Sequence, residues 1–438
     1  MLNIFKNLIE MIHISKPIIK FKGDEAFLSA EIIDDKLHQK SELWFSVERQ
    51  FADGLCSDYA DAFVLVMLCL AIHSHQDIDS DAPVSRKLLF NLRNTIIPLF
   101  AKALPDSKQI QIIAKGSEDF LYDSKAVGCG CSLGIDSMSS LLTHLQDNTT
   151  DGYKVTHLAL FNSGQMGDYD LEKAEDYFKD TVSKLRPFSE DIGLPLVAVN
   201  TNLNSFYRYS GVTLLQSFVL RTAACALSLQ CLWGKYVYAS SYPIDYAIFS
   251  SVDTSHMEAS FVPLVQSHNF EMVLSNPMLS RVEKTEIVRR SPYSYQYLDV
   301  CWANQTAYEI WHNYTFLEGK VKRNCGWCDK CLRTLLTLEI LSWKEKNNIN
   351  AYKDIFDINR YYKNKDSFIK KVFKEQDSNL FYKEIVDLIL TTNYPIPRQI
   401  TRILLFKEWK KKVYNFSSSI SFMALRPFKI LIRSLKRL

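Results

Sequence analysis

A chain of 438 residues is too long for one compact core, and 47% apolar with 23% charged positions excludes a collagen-like or wholly disordered polymer. Fifty-two Lys/Arg against 49 acids give a net charge of +3, so bulk charge makes no case for nucleic-acid binding. The balance is uneven, however: residues 398–438 hold eleven Lys/Arg and one acid, Glu408, leaving 41 basic and 48 acidic residues elsewhere.

The first stretch, MLNIFKNLIEMIHISKP, is broken by Lys6 and Glu10 and lacks a small-residue cleavage site, so no secretory signal is expected. The longest apolar run, Ala62 to Ile72, is shorter than the ~18 residues a bilayer span needs. The expected compartment is the cytoplasm, where ten cysteines argue for metal or reactive thiols rather than disulfides.

Residues 1–120 mix two patterns. Ile18–Phe21, Phe27–Ile33 and Leu43–Val47 alternate as strands, Asp58–His73 reads as a buried helix capped by Ser57 or Asp58, Val84-Ser85 opens another helix, and Gln109–Ala114 is strand-like. This is expected to be an accessory α+β domain. From residue 121 to 300 strands and helices alternate. Ala126–Cys131, His157–Phe161, Leu196–Asn200 and Tyr236–Ala239 are strands; Met138, Leu141, Leu142 and Leu145 mark one helix, with others at Asp170–Leu185 and Thr213–Trp233. That rhythm predicts a doubly wound parallel sheet, with ligands beyond the carboxyl ends of its strands. Tyr242–Ser275 reads as a loop on the substrate side, and its His256 and His268 read as plain surface residues. Residues 301–345 hold a cysteine cluster followed by a helix, and 346–438 a helical, basic C-terminal region.

Two segments carry chemistry. Gly128-Cys-Gly-Cys-Ser-Leu-Gly-Ile-Asp-Ser-Met138 lies between a strand and a helix, where free N–H groups and the helix dipole favour phosphate. Ser132 and Ser137 add hydroxyls, and Gly134 is expected to make the turn that lets the backbone approach a ligand. Asp136 would repel a bare phosphate and makes sense if Mg²⁺ lies between them. Neither G-x-x-x-x-G-K-[ST] nor G-x-G-x-x-G is matched, since position 133 is Leu133. The second segment, Asn324-Cys-Gly-Trp-Cys-Asp-Lys-Cys331, gives C-x₂-C-x₂-C. Cys325, Cys328 and Cys331, with Cys301 upstream, suit a closed tetrahedral zinc site, with Gly326 helping the turn. An iron–sulfur cluster or thiol redox chemistry is the alternative on spacing alone. Cys129 and Cys131 read as small buried apolar residues.

Ser132-Leu-Gly-Ile-Asp-Ser137 resembles the S-G-G-x-D-S loop of the PP-loop ATP pyrophosphatases, and the cysteine triplet resembles that of their 7-cyano-7-deazaguanine synthase-like group, over roughly residues 125 to 340. Leu133 replaces the first Gly of the loop, which is tolerable where the position does not need φ > 0. Cys301 lies farther upstream than the first cysteine of that group. The resemblance implies an adenine nucleotide α-hydrolase-like α/β fold, with ATP, Mg²⁺ and Zn²⁺ as cofactors and Ser132, Leu133, Gly134, Ile135, Asp136 and Ser137 around the nucleotide. It also implies Asp136, Lys284 and Arg281 as catalytic groups. The implied reaction is adenylation of a carboxylate or carbonyl oxygen with release of pyrophosphate, then attack by a nitrogen nucleophile. The acceptor would be a small or nucleobase-like molecule. Two rival readings are a sulfur-transferring PP-loop enzyme with an iron–sulfur cluster and an inactive nucleotide-binding or scaffold protein.

Asn162-Ser-Gly164, Asn200-Thr-Asn202 and Ser240-Ser241 follow strands where ligand contacts would fall, though turn chemistry is the commoner reason for such residues. In the tail, Lys410–Lys412 and Lys429–Arg437 interleave with apolar residues. This predicts peripheral binding to an anionic membrane surface or to a protein partner.

Overall fold

The structure, a computed structural model, describes residues 10–117, 120–146, 149–165, 171–301, 322–343, 345, 349–397 and 400. The expectation about the basic tail therefore lies outside the described residues, apart from Ile400.

Eleven strands form one mixed sheet: β1 (Met11–Ile14), β2 (Ile18–Lys22), β3 (Glu25–Asp34), β4 (Gln39–Glu48), β5 (Asp77–Ser80), β6 (Ile112–Ile113), β7 (Ala126–Gly130), β8 (His157–Phe161), β9 (Leu196–Thr201), β10 (Trp233–Ala239) and β11 (Glu271–Ser275). Their order is β11-β10-β7-β8-β9-β4-β3-β1-β5-β6, with β2 also on β3. The five strands from β11 to β9 are parallel. The chain runs outward from β7 through β8 to β9, then returns to the other flank of β7 as β10. The carboxyl end of β7 is thus the switch point where an open α/β sheet offers a crevice.

The N-terminal strands continue this sheet. β9 pairs antiparallel with β4 through Asn200–Ser46 and Thr201–Phe45. Asn202 extends the join with its side chain, accepting from Trp44 N at 2.9 Å and donating to Glu42 O at 2.7 Å. The two hydrophobic cores follow the faces of the sheet. One joins β1–β5 and helix α1 (Asp61–Ser74) to helix α4 (Leu214–Leu227) and the β11 region. The other joins the opposite face to helix α2 (Ile135–Thr143), the cysteine cluster, and helices α6 (Asp329–Trp343), α7 (Ile358–Glu375) and α8 (Leu380–Thr392). Helix α3 (Leu171–Ile192) contributes Phe178, Leu185 and Phe188 to this second core. The parallel sheet thus shares one interior with the N-terminal segment and the other with the C-terminal helices.

Several local expectations need correction. Helix α1 starts after Ala60, not at Ser57 or Asp58; the Asp58 carboxylate accepts from Tyr122 OH at 2.8 Å instead. Val84-Ser85 is a short strand paired with Gly116-Ser117, and the helix begins at Arg86. α4 carries the expected cap, with Thr213 and Gln216 forming a reciprocal capping box, but stops at Leu227. The apolar run to Trp233 turns there and enters β10. Within Tyr242–Ser275, Glu271–Ser275 is strand β11 rather than loop. No helix among the described residues is long and apolar enough to cross a membrane.

Candidate active site and metal centre

The segment after β7 folds into a tight loop leading to α2. Ser132 N donates to Ser137 Oγ at 3.2 Å, the two hydroxyls meet at 3.1 Å, and Ser137 Oγ donates to Gly134 O at 3.2 Å. The left-handed residue of the turn is Leu133, at φ 60°. Gly134 has φ −79° and ψ 170°, an extended conformation open to any residue, so the expectation that Gly134 makes the turn is corrected. Position 133 does need φ > 0. For a non-glycine residue that costs on the order of 1–3 kcal/mol. The leucine side chain offsets it by being buried at 2% exposure, worth about 1.5–3 kcal/mol. Its carbonyl accepts from Asp299 N at 2.9 Å, which ties the loop to the strand of chain leading to Cys301.

Asp136 stands in the first turn of α2. Helix α5 (Arg281–Arg289), capped by a Ser280/Glu283 box, packs against α2, α6 and α8 and brings both predicted cations to it. Arg281 lies 2.8 Å from Asp136 Oδ2 and Lys284 Nζ 3.7 Å from Oδ1. Lys284 is fully buried and donates to Ser240 O at 2.7 Å and Ser240 Oγ at 2.9 Å. Burial pushes its pKa down, opposed by Asp136. Asp136 Oδ1 and Arg281 Nε are buried without a hydrogen-bond partner. The loop, Asp136 and Arg281 line a cavity of about 190 Å³, together with Gln165, residues 299–301 and the α3 residues Tyr177, Thr181 and Lys184. A second cavity of about 200 Å³ shares Ser132, Asp136, Ser137 and Gln165 and runs over the carboxyl ends of β7, β8 and β10, where Phe161, Phe218, Tyr236 and Tyr238 form its apolar lining.

Four groups in or beside the first cavity were not anticipated from the sequence. Lys330 and Arg333, from the first turns of α6, line it. Burial and the neighbouring Arg281 and Arg333 push Lys330 down to about 7; burial and Arg281 push Arg333 down to about 10. Phe381 of α8 lies under the guanidinium groups of both Arg281 and Arg333, at 4.6 and 4.4 Å from its centroid. Glu384, one turn on, accepts from the Arg281 and Val282 amides at 2.9 and 3.3 Å and so caps α5. The i, i+3 spacing of Lys330 and Arg333, cations at a helix start where the dipole opposes them, was the available signal. Phe381 and Glu384, more than 90 residues from α5, gave none.

Of the other singled-out residues, Ser240 is the seat of Lys284, while Asn162 Nδ2 donates to Asn200 Oδ1 at 2.8 Å within the sheet end. His256 is not a plain surface residue: it stacks on Tyr242 at 3.9 Å, and Tyr242 stacks on Phe381 at 5.5 Å. His268 is exposed. Cys129 and Cys131 are buried, and burial raises both thiols. Gly130 belongs to β7, where a Cβ would lie 2.6 Å from Tyr236 Oη.

Cys301, Cys325, Cys328 and Cys331 converge, all four sulfurs lying within 4.8 Å of one another and all four residues buried. The pairs Cys301–Cys328 and Cys325–Cys331 are 4.0 and 3.9 Å apart. A tetrahedron of ~2.3 Å metal–sulfur bonds places its corners about 3.8 Å apart, so the group fits one metal ion at its centre. Backbone N–H groups of Cys325 and Cys328 point at Cys301 Sγ and Cys325 Sγ, at 3.4 and 3.3 Å. Hydrogen bonds from the Cys301, Cys325 and Cys331 thiols hold Cys328 below the ordinary thiol range, favouring the thiolate that binds metal. Gly326 makes the turn at φ 73°, and a Cβ there would meet Asp357 O at 2.1 Å.

Comparison of the chain with family models, with curated proteins and with solved structures returned no match.

Proposed function

We propose that this chain is an AMP-forming ATP pyrophosphatase of the PP-loop type, with an adenine nucleotide α-hydrolase-like parallel sheet. The observation that carries the reading is Asp136, held at a helix start beyond the central strand β7 and faced by Arg281 and Lys284, at the junction of the two cavities. The nucleoside of ATP occupies the cavity lined by Phe161 and Tyr236, and its phosphates cross Ser132–Ser137. Asp136, whose Oδ1 is buried without a hydrogen-bond partner, would hold a magnesium ion, and the ion would help neutralise the charge of the leaving group.

An acceptor oxygen, from a carboxylate or carbonyl of a small or nucleobase-like molecule, attacks the α-phosphorus. The bond to the bridging oxygen breaks and pyrophosphate leaves, its growing charge met by Arg281 and Lys284. A nitrogen nucleophile, from ammonia or an amine, then attacks the activated carbon of an adenylated carboxylate, and AMP departs with the oxygen, leaving an amide; a nitrile requires a second ATP, which adenylates the amide oxygen before AMP leaves with loss of both N–H protons. The four cysteines hold a structural zinc ion, since the closed, buried set leaves no open coordination position. One ion fills that space, which disfavours the multi-iron cluster of the sulfur-transfer rival. Association with an anionic membrane or a protein partner through residues 398–438 remains a proposal carried by their charge alone.

The test is a metabolite screen for acceptor-dependent pyrophosphate release from ATP, run on the wild type and on Asp136→Ala. Release that needs Asp136 is expected. Failure to bind ATP would leave the scaffold reading in its place.

A further inference from the structure

One wall of the first cavity carries cations that the nucleotide reading does not use. Arg333 is nine-tenths buried yet lines the cavity, and among the described residues its guanidinium has no hydrogen-bond or ion-pair partner. Its guanidinium lies over the Phe381 ring, which also carries Arg281, so the two guanidinium carbons lie within about 9 Å of each other. Lys330, one turn back on α6, lines the same wall. Arg281 is engaged by Asp136 through one terminal nitrogen, while its Nε is buried without a partner. Lys184, across the cavity, is held by Asp180. Lys330 and Arg333 enter this first cavity but are absent from the lining of the apolar one beside it, so they face the phosphate side of the site rather than the nucleoside.

We propose that Arg333 and Lys330, with Arg333 held in place by Phe381, form an oxyanion subsite, so that the molecule adenylated here carries a carboxylate or phosphate group of its own. A planar guanidinium presents paired donors that match either group. The name acceptor rests on the adenylation reading; the anion chemistry of the wall does not. Phe381 acts as a positioning residue: it touches no ligand and fixes the plane of the guanidinium above it.

The experiment titrates inorganic phosphate and, separately, acetate into zinc-loaded full-length protein, with and without saturating α,β-methylene-ATP and Mg²⁺, following bound ligand by NMR. One anion is expected to bind alongside the nucleotide. The tighter of the two probes separates a phosphate-bearing from a carboxylate-bearing acceptor. Arg333→Gln is expected to weaken anion binding about tenfold or more, Arg333→Lys to recover part of it, and Phe381→Leu to weaken it by a smaller factor. Lys330→Gln, at a partly exposed position, gives the same direction should Arg333→Gln not fold. Displacement of the anion one-for-one by the nucleotide analogue would assign these cations to the triphosphate and overturn the proposal. Anion binding indifferent to Arg333, Lys330 and Phe381 would overturn it too, and would leave the cations as counter-charges to the four thiolates. If the analogue does not bind but Arg333-dependent anion binding persists, the adenylation reading fails while the subsite stands.

Discussion

The loop at 132–137 and the turn at 325–328 meet the same backbone demand in opposite ways. Each needs one residue in the left-handed region, Leu133 at φ 60° and Gly326 at φ 73°. At the cysteine turn the space is closed, with Asp357 O 2.1 Å from a would-be Cβ, and the Cys325 and Cys328 amides are turned inward onto sulfur. At the loop the residue has a large side chain that packs into the core beneath, while Asp136 Oδ1 and Arg281 Nε are left buried and unsatisfied beside a cavity. A closed turn with amides directed at sulfur is what a structural centre requires. A turn fixed from below with unsatisfied groups above is what a ligand site requires. The two are linked, because Asp299 donates to Leu133 O two residues before Cys301.

The largest effect should come from breaking the closed side. Cys328→Ser, or removal of metal by chelation, is expected to lower the melting temperature by more than about 10 °C, since binding at such sites is folding energy. Elemental analysis should find one zinc per chain; iron with labile sulfide, or an unchanged melting temperature, would remove the contrast. Gly326→Ala should follow at about 3 kcal/mol or more, because both the space and the backbone conformation forbid a Cβ. Denaturant unfolding reads it directly, and a neutral substitution would show that the turn is slack.

On the open side, Asp136→Ala is expected to cut pyrophosphate release by roughly 10²–10³ while the circular dichroism spectrum stays native. A variant with full turnover would mean that the chemistry lies elsewhere.

Glu258 sharpens the contrast through pH. It is buried beside the site, one carboxylate oxygen accepting from Ser241 N at 2.5 Å and the other unpartnered, and burial pushes its pKa up to about 8 from 4.5. The folded state therefore holds a proton between these values that the unfolded chain has lost. Stability should fall as pH rises through that window. Glu258→Gln removes the penalty: relative to it, the wild type is expected to lose roughly 2–3 kcal/mol between pH 5 and 7. Parallel urea curves for the two proteins across that range would show that Glu258 is charged and accommodated.

Much of this architecture was legible where the signal is local. Strand alternation placed β2, β3, β4 and β7 through β9, and the cysteine triplet announced its own turn. Legibility failed where a neighbour decides. The apolar run after Leu227 has no periodicity that separates a continuing helix from the turn into β10, and Glu271–Ser275 is a strand because β10 pairs with it. Cys301, named from the sequence but set apart by 23 intervening residues from Cys325, reaches the triplet because Asn324 and Leu133 hold its segment; Val300 N donates to Asn324 Oδ1 at 2.9 Å. Phe381 and Glu384 reach the site by tertiary packing of α8 on α5, which no spacing rule reports.

The smallest expected effect lies at Leu133, where backbone strain and side-chain packing oppose each other. Leu133→Gly would supply the residue that a left-handed position prefers, and relieving that strain should return about 1–3 kcal/mol. It also deletes a side chain 2% exposed within the core under the loop, and losing a buried leucine costs about 2–5 kcal/mol. Glycine adds the entropy of a freer unfolded chain. The balance predicts a net loss of about 1–2 kcal/mol, readable as a lower urea midpoint with an unchanged slope. Leu133→Ala separates the terms: it keeps the strain and loses the packing, so it should be less stable than Leu133→Gly. If Leu133→Gly were instead more stable than the wild type, strain would outweigh packing, and the loop would be a spring held under load rather than a turn fixed from below.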